Sequence, residues 1–101
     1  MKATIEELEG KLVAKLSGEM DTAAAMEAET VLKPLYQSNG KEVIIDCTEL
    51  EYIASSGLRI LLSILKGAKA AGSKVVMRSV NSDIKTVFQL TGFISLFEFE
   101  D

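Results

Sequence analysis

Val43-Ile44-Ile45 is an unbroken apolar run set between Lys41-Glu42 and Asp46, the pattern of a strand covered on both faces. Such a strand belongs in the middle of a sheet, so the chain must supply further strands beside it and helices against it. The opening supplies two strands. Thr4-Ile5-Glu6-Glu7-Leu8 and Lys11-Leu12-Val13-Ala14-Lys15-Leu16 flank Glu9-Gly10, and Leu12, Ala14 and Leu16 recur with the strand period, which predicts an antiparallel hairpin. After Ser17-Gly18-Glu19-Met20, Asp21 is a good N-cap for a helix from about Thr22 to Gln37, with Ala24, Ala28, Val31, Leu32, Leu35 and Tyr36 on one face. Pro34 falls inside that helix, where a missing donor and a steric clash cost ~3 kcal/mol, so a kink or a distorted late turn is expected.

Beyond the apolar run, Asp46 to Ser56 reads as a connection, and Gly57-Leu58 opens a second helix with Leu58, Leu61, Leu62, Leu65 and Ala68 at helical spacing, closing near Ala71-Gly72. Ile60 and Ile64 lie beside that stripe and Gly67 extends their row. This flank is further core or a contact surface, and broad apolar faces on helices that cover sheets favour core. Lys74-Val75-Val76-Met77-Arg78 gives another strand, Asn81-Ser82-Asp83 caps a third helix with Ile84, Val87 and Phe88 inward, Gly92 ends it, and Phe97 and Phe99 alternate with Glu98 and Glu100 in a last short strand. The order ββαβαβαβ predicts an α/β fold: a mixed, mostly parallel sheet of about five strands with helices against it.

Composition bounds what this fold can do. The 101 residues, 48% of them hydrophobic, suffice for one core, so residues 1–101 are expected to form a single domain. No apolar stretch approaches the ~20 residues of a membrane span, and no signal peptide opens the chain, which predicts a cytoplasmic protein without a membrane partner. Cys47 is the one cysteine, placed where a small buried thiol fits. Histidine is absent, which removes Ser-His-Asp and Cys-His catalysis, histidine-ligated zinc and phosphohistidine chemistry together. No catalytic residue, metal ligand or cofactor is expected. With 15 acidic and 11 basic side chains the net charge is −4, which repels nucleic acid.

The segment that invites chemistry is Asp46 to Leu58, where Ser55 and Ser56 stand together at a helix start. A serine there can be a plain N-cap, its oxygen accepting from a free backbone N–H. It can also be a modification site, because unpaired helix N–H groups and the positive end of the helix dipole favour an added anion. A phosphoserine brings about −1.5 to −2 charge and three acceptor oxygens. A cap accounts for one of the two serines and leaves the other hydroxyl free.

Three motifs carry a resemblance. Leu16-Ser17-Gly18-Glu19-Met20-Asp21 is similar to a Gly-Glu-Leu-Asp turn, Asp46 through Leu58 resembles Asp-x-Ser/Thr…Asp-Ser-Ser-Gly-Leu, and Gln89-Leu90-Thr91-Gly92-Phe93 is similar to Leu-x-x-x-Gly-Leu. In this order they resemble the STAS domain family, and in particular the single-domain anti-sigma factor antagonists of bacteria, over nearly the whole chain. The resemblance implies a non-enzymatic binding module. Its serine, here Ser55, is phosphorylated by an anti-sigma factor serine kinase and dephosphorylated by a PP2C-type serine phosphatase. With Ser55 as the matching residue, Ser56 becomes the expected N-cap of the second helix and the alternative site; Asp21, which also caps the first helix, and Gly57 lie near the phosphosite, and Glu19, Arg59, Ile60 and Ser63 are the implied partner-binding residues. One departure stands out, since the family's aspartate before the serine is Ala54 here. It supports a second reading, a STAS scaffold subunit of a signalling or transport-associated complex that is never phosphorylated. A third reading takes Ser55-Ser56-Gly57 as a phosphate-binding turn of a nucleotide-binding α/β domain, but neither G-x-G-x-x-G nor a Walker A lysine motif is present.

Overall fold

The computed structural model describes residues 2–100. The elements are β1 (Lys2–Leu8), β2 (Lys11–Met20), α1 (Thr22–Leu32), a 3₁₀ helix (Lys33–Gln37), β3 (Val43–Ile53), α2 (Ser55–Ala70), β4 (Val75–Arg78), α3 (Ser82–Leu90), a 3₁₀ turn (Phe93–Ser95) and β5 (Glu98–Glu100). The strands lie in the sheet in the order β1-β2-β3-β4-β5, with β1 antiparallel to β2 and every later pair parallel. The expected ββαβαβαβ order and α/β class are what the chain adopts.

Side-chain alternation sorts the sheet into two unlike faces. Ala14 and Leu16 of β2, Val43, Ile45 and Cys47 of β3, and Val75 and Met77 of β4 form one core with Ala25, Ala28 and Leu32 of α1, Leu58, Ile60, Leu61, Ile64, Leu65 and Ala68 of α2, and Ile84 and Phe88 of α3. All three helices therefore cover the same face. Phe88 anchors the last strand, meeting Phe97 and Phe99 edge-on with ring centroids 5.5 and 5.7 Å away, a favoured aromatic geometry.

β3 is the central strand, covered on both faces as expected, although among the described residues the other face carries no helix. Val13, Ile44 and Val76 are aligned across it and are nonetheless buried. Charged rows flank them. Ion pairs join Lys11 to Glu42 at 3.2 Å, Lys74 to Glu98 at 3.5 Å and Arg78 to Glu100 at 2.8 Å. The aliphatic stems of such side chains lie over apolar neighbours while their heads stay in water.

Two boundaries differ from the sequence reading. Pro34 ends α1 at Leu32, and the chain continues as the 3₁₀ helix Lys33–Gln37, which is the distorted late turn that a proline in the helix interior demands. The stretch from Asp46 onward is no connection, since β3 continues to Ile53. Two register shifts against β2 hide it: Lys15 and Ser17 pair with Asp46 and Glu49, and Gly18 and Glu19 pair with Leu50 and Tyr52. Each places an extra residue in β3 and breaks the strand period.

Asp46 holds the first of these bulges. Its Oδ1 accepts from the Thr48 hydroxyl at 2.6 Å and the Thr48 amide at 3.0 Å. Partial burial pushes the Asp46 carboxyl up, but the Thr48 bonds together with Arg78 and Lys15 outweigh it and hold the group below the usual carboxylate range. A carboxylate whose folded value is depressed stabilises the fold above its unfolded value and loses that contribution as pH falls through the folded one. Asp46→Ala is therefore expected to lower stability by about 1 kcal/mol at neutral pH. Urea midpoints of variant and parent should converge as pH falls below about 4, and a difference that persists unchanged in acid would assign the loss to packing.

Candidate functional site

The site is built where two parallel strands deliver two helices to the same end of the sheet. β2 leads into α1 and β3 leads into α2, and the Ala54 amide donates to the Met20 carbonyl at 2.8 Å, so the two helix N-termini lie side by side. Asp21 caps α1, its Oδ1 accepting from the Ala24 amide at 2.9 Å, as its position before an alanine-rich run predicts.

α2 begins differently from the sequence expectation. Its N-cap is Ala54, in extended conformation with φ −83° and ψ 165°, and no side chain caps it. Ser55 and Ser56 are the first helical residues, so Ser56 is not the N-cap. The Leu58 amide donates to the Ala54 carbonyl at 3.1 Å, leaving the amides of the preceding turn without the side-chain acceptor that a capping residue supplies. Ser56 is half-buried and donates to Thr22 Oγ1 at 3.3 Å, linking the starts of the two helices. Ser55 is exposed, and its hydroxyl makes no hydrogen bond among the described residues. Thr22 escaped the sequence reading, although its place directly after the Asp21 cap put it on the first turn of α1.

An uncapped helix start can be improved. Ala54→Asp supplies a carboxylate at the N-cap, in a backbone conformation that capping residues adopt, and is expected to raise stability by about 1 kcal/mol. Thermal unfolding checks this, and an unchanged midpoint would show that other groups already satisfy the α2 amides.

Gly57 is buried where α2 meets the sheet. A Cβ at this position would lie 2.8 Å from Ile53 Cγ1 and 3.1 Å from Met20 Sδ, so glycine permits the close approach that fixes the serines in place.

Of the other expected residues, Arg59 and Ser63 are exposed and follow Ser55 at intervals of four along α2, which sets all three on one helical stripe. Glu19 is exposed near the end of β2, opposite Tyr52 of β3, an aromatic that is 50% exposed. Ile60, read both as core and as a partner contact with core favoured, is 8% exposed and belongs to the core, because the helical repeat turns it away from the stripe that carries Arg59; as a partner contact it is corrected. Cys47 is buried as expected, and burial, with Asp46 beside it, pushes the thiol up to about 12, leaving an inert side chain.

Little at this end suits a nucleotide. A groove of about 600 Å³ runs along the second half of β3, but Glu49 and Glu51 line it beside Ser17, Gly18 and Asn81, and carboxylates repel phosphate. Among the described residues no group of histidine, cysteine or carboxylate side chains is placed to hold a metal ion, and no helix is long and apolar enough to cross a membrane.

Comparison with known proteins bears on the family and the fold. The STAS domain profile matches residues 2–101. BtrV of Bordetella bronchiseptica, assigned as an anti-sigma factor antagonist, is 31% identical over 97 residues, covering 96% of this chain and 84% of BtrV. The anti-sigma-B factor antagonist of Staphylococcus aureus is 27% identical over 82 residues, 81% of this chain and 76% of its own. Among solved structures, the Bacillus cell fate determinant SpoIIAA in its phosphorylated form superposes with a TM-score of 0.74 at 19% identity, covering 99% of this chain and 92% of that one, a likeness of fold. Profile, relatives and fold each span most or nearly all of the sequence, and the chain belongs to the STAS domain family.

Proposed function

We propose that this protein is an anti-sigma factor antagonist, a binding protein whose grip on an anti-sigma factor serine kinase is switched by phosphate on Ser55. The observation that carries the reading is the state of Ser55: an exposed, unbonded hydroxyl on the first turn of a helix whose start has no side-chain cap. A kinase transfers the γ-phosphoryl of ATP to that oxygen, the hydroxyl proton leaves and ADP is released. The phosphate arrives where free amides and the helix dipole stabilise it, and Arg59, four residues along the same stripe, is within reach of a charge-assisted pair. The fold therefore accepts the charge as it stands. A chain already at −4 then presents a further −1.5 to −2, by about those amounts, to a partner surface that had closed over a neutral serine. Hydrolysis by a PP2C-type phosphatase restores the hydroxyl.

In this reading residues 1–101 act as one STAS domain in the cytoplasm, binding through the exposed stripe of Ser55, Arg59 and Ser63 together with Glu19, and catalysing nothing. Phosphosite mapping by mass spectrometry on protein isolated from its own cells tests it. Phosphate on Ser55 supports the switch. A chain that stays unphosphorylated in growth and stress supports the second reading, a constitutive STAS scaffold, which the alanine at position 54 favours.

A further inference from the structure

β1 is an edge of the sheet, and among the described residues its outer side pairs with no strand. The hairpin determines which backbone groups that edge offers. Glu9 and Gly10 both have positive φ, 53° and 76°, as in the two-residue type I′ turn, so Leu8 and Lys11 close it as a hydrogen-bonded pair. Alternation then turns the N–H and C=O groups of Thr4, Glu6 and Leu8 toward β2 and those of Ala3, Ile5 and Glu7 outward.

We propose that this edge pairs with the same edge of a second copy, antiparallel and centred on Thr4, joining two sheets into one. In that register Ala3 of each copy faces Ile5 of the other and the pair exchanges both of its backbone bonds. Ala3 and Ile5 lie on the helix side, partly buried against the core, so their contact continues the apolar layer across the junction. On the opposite face Lys2 meets Glu6, once on each side of the dyad.

Charge selects both the occupant and the register. Ion pairs already engage part of the charge elsewhere along the sheet and its flanks: Lys11 with Glu42, Lys41 with Glu7, Lys74 with Glu98 and Arg78 with Glu100. Lys2 and Glu6 belong to no ion pair among the described residues, and a copy of the same strand presents the complement of both. Cross-strand opposite charges attract and like charges repel. Centring the pair on Ile5 sets Glu7 against Ala3 and Lys2 against Leu8, and centring it on Glu6 opposes two carboxylates. The far edge is no rival, since among the described residues β5 offers Glu98, Phe99 and Glu100, and pairing it with itself brings acid against acid. The dimer does not depend on the phosphorylation of Ser55.

Sedimentation velocity of the full chain over a concentration series, at low and high salt, is the test. The expected result is a reversible dimer that salt weakens. Lys2→Glu should raise its dissociation constant about tenfold or more, and combining it with Glu6→Lys should return the constant to within about threefold of the parent. Ala3→Pro removes an outward N–H while sparing the bonds to β2 and should abolish the dimer, with circular dichroism showing the fold retained. A monomer at every concentration overturns the proposal, as does a dimer whose dissociation constant the charge reversal and its compensation leave unmoved.

Discussion

Ser55→Asp protein should bind its anti-sigma factor at least about tenfold more weakly than the parent, a loss of about 1.4 kcal/mol, while Ser55→Ala binds undiminished and takes up no phosphate from that kinase and ATP. The structure makes these substitutions unusually easy to interpret. Among the described residues the Ser55 hydroxyl makes no hydrogen bond, so its removal breaks none of theirs. An aspartate on the first turn of α2 is favoured by the helix dipole, so the acidic variant should unfold no earlier than the parent. Weaker binding then reports charge at the contact surface. Ser56→Ala is the control with a different signature, because it loses the 3.3 Å bond to Thr22 across the two helix starts. Isothermal calorimetry and intact-mass spectra separate the cases, and full labelling of Ser55→Ala would move the phosphosite to Ser56.

Gly57→Ala should lower stability by about 1–3 kcal/mol, a fall of roughly 4–8 °C in melting temperature for each kcal/mol in a domain of this size. Two effects compete. Alanine is the better helix former by about 1 kcal/mol, whereas its Cβ would stand 2.8 Å from Ile53 and 3.1 Å from Met20. Those neighbours are 4% and 0% exposed, held by close packing that resists displacement, so the clash outweighs the propensity. Relief comes by lifting the first turn of α2 off the strand ends, which also displaces Ser55, and phosphorylation should slow along with the loss of stability. A raised melting temperature would mean that Met20 and Ile53 repack freely and that the glycine is not what positions the serine.

The sequence carried more of the architecture than of the site. Asp21 and Asn81 announced their helices, and both caps form, the latter by Asn81 accepting from the Ile84 amide at 2.8 Å. Pro34 announced the end of α1 through its own chemistry. What escaped was β3 beyond Asp46, because the bulges shift the side-chain alternation and the hydrogen bonds from Thr48 to Asp46 imitate a turn. The helix start was misjudged for a related reason: a serine before an apolar stripe suggests a cap, yet the cap position falls to Ala54, a residue with no capping chemistry. Ser55 gained from that error, since both serines entered the helix and only Ser56 found a partner. The place of Ile60 depended on the orientation of α2 against the sheet, which periodicity left open between core and contact surface.

The strand order β1-β2-β3-β4-β5 has a consequence for how the chain can assemble. Spatial order repeats synthetic order, so every strand after the first joins an edge that already exists, and none has to be threaded between two that are paired. Each addition closes only the connection just made, a hairpin turn or a single helical crossover, and the entropy of closing a loop grows with its length. A growing chain can thus lay down its sheet one strand at a time from the N-terminus, with Phe88 the last large anchor in place before Phe97 and Phe99 fasten the final strand against it.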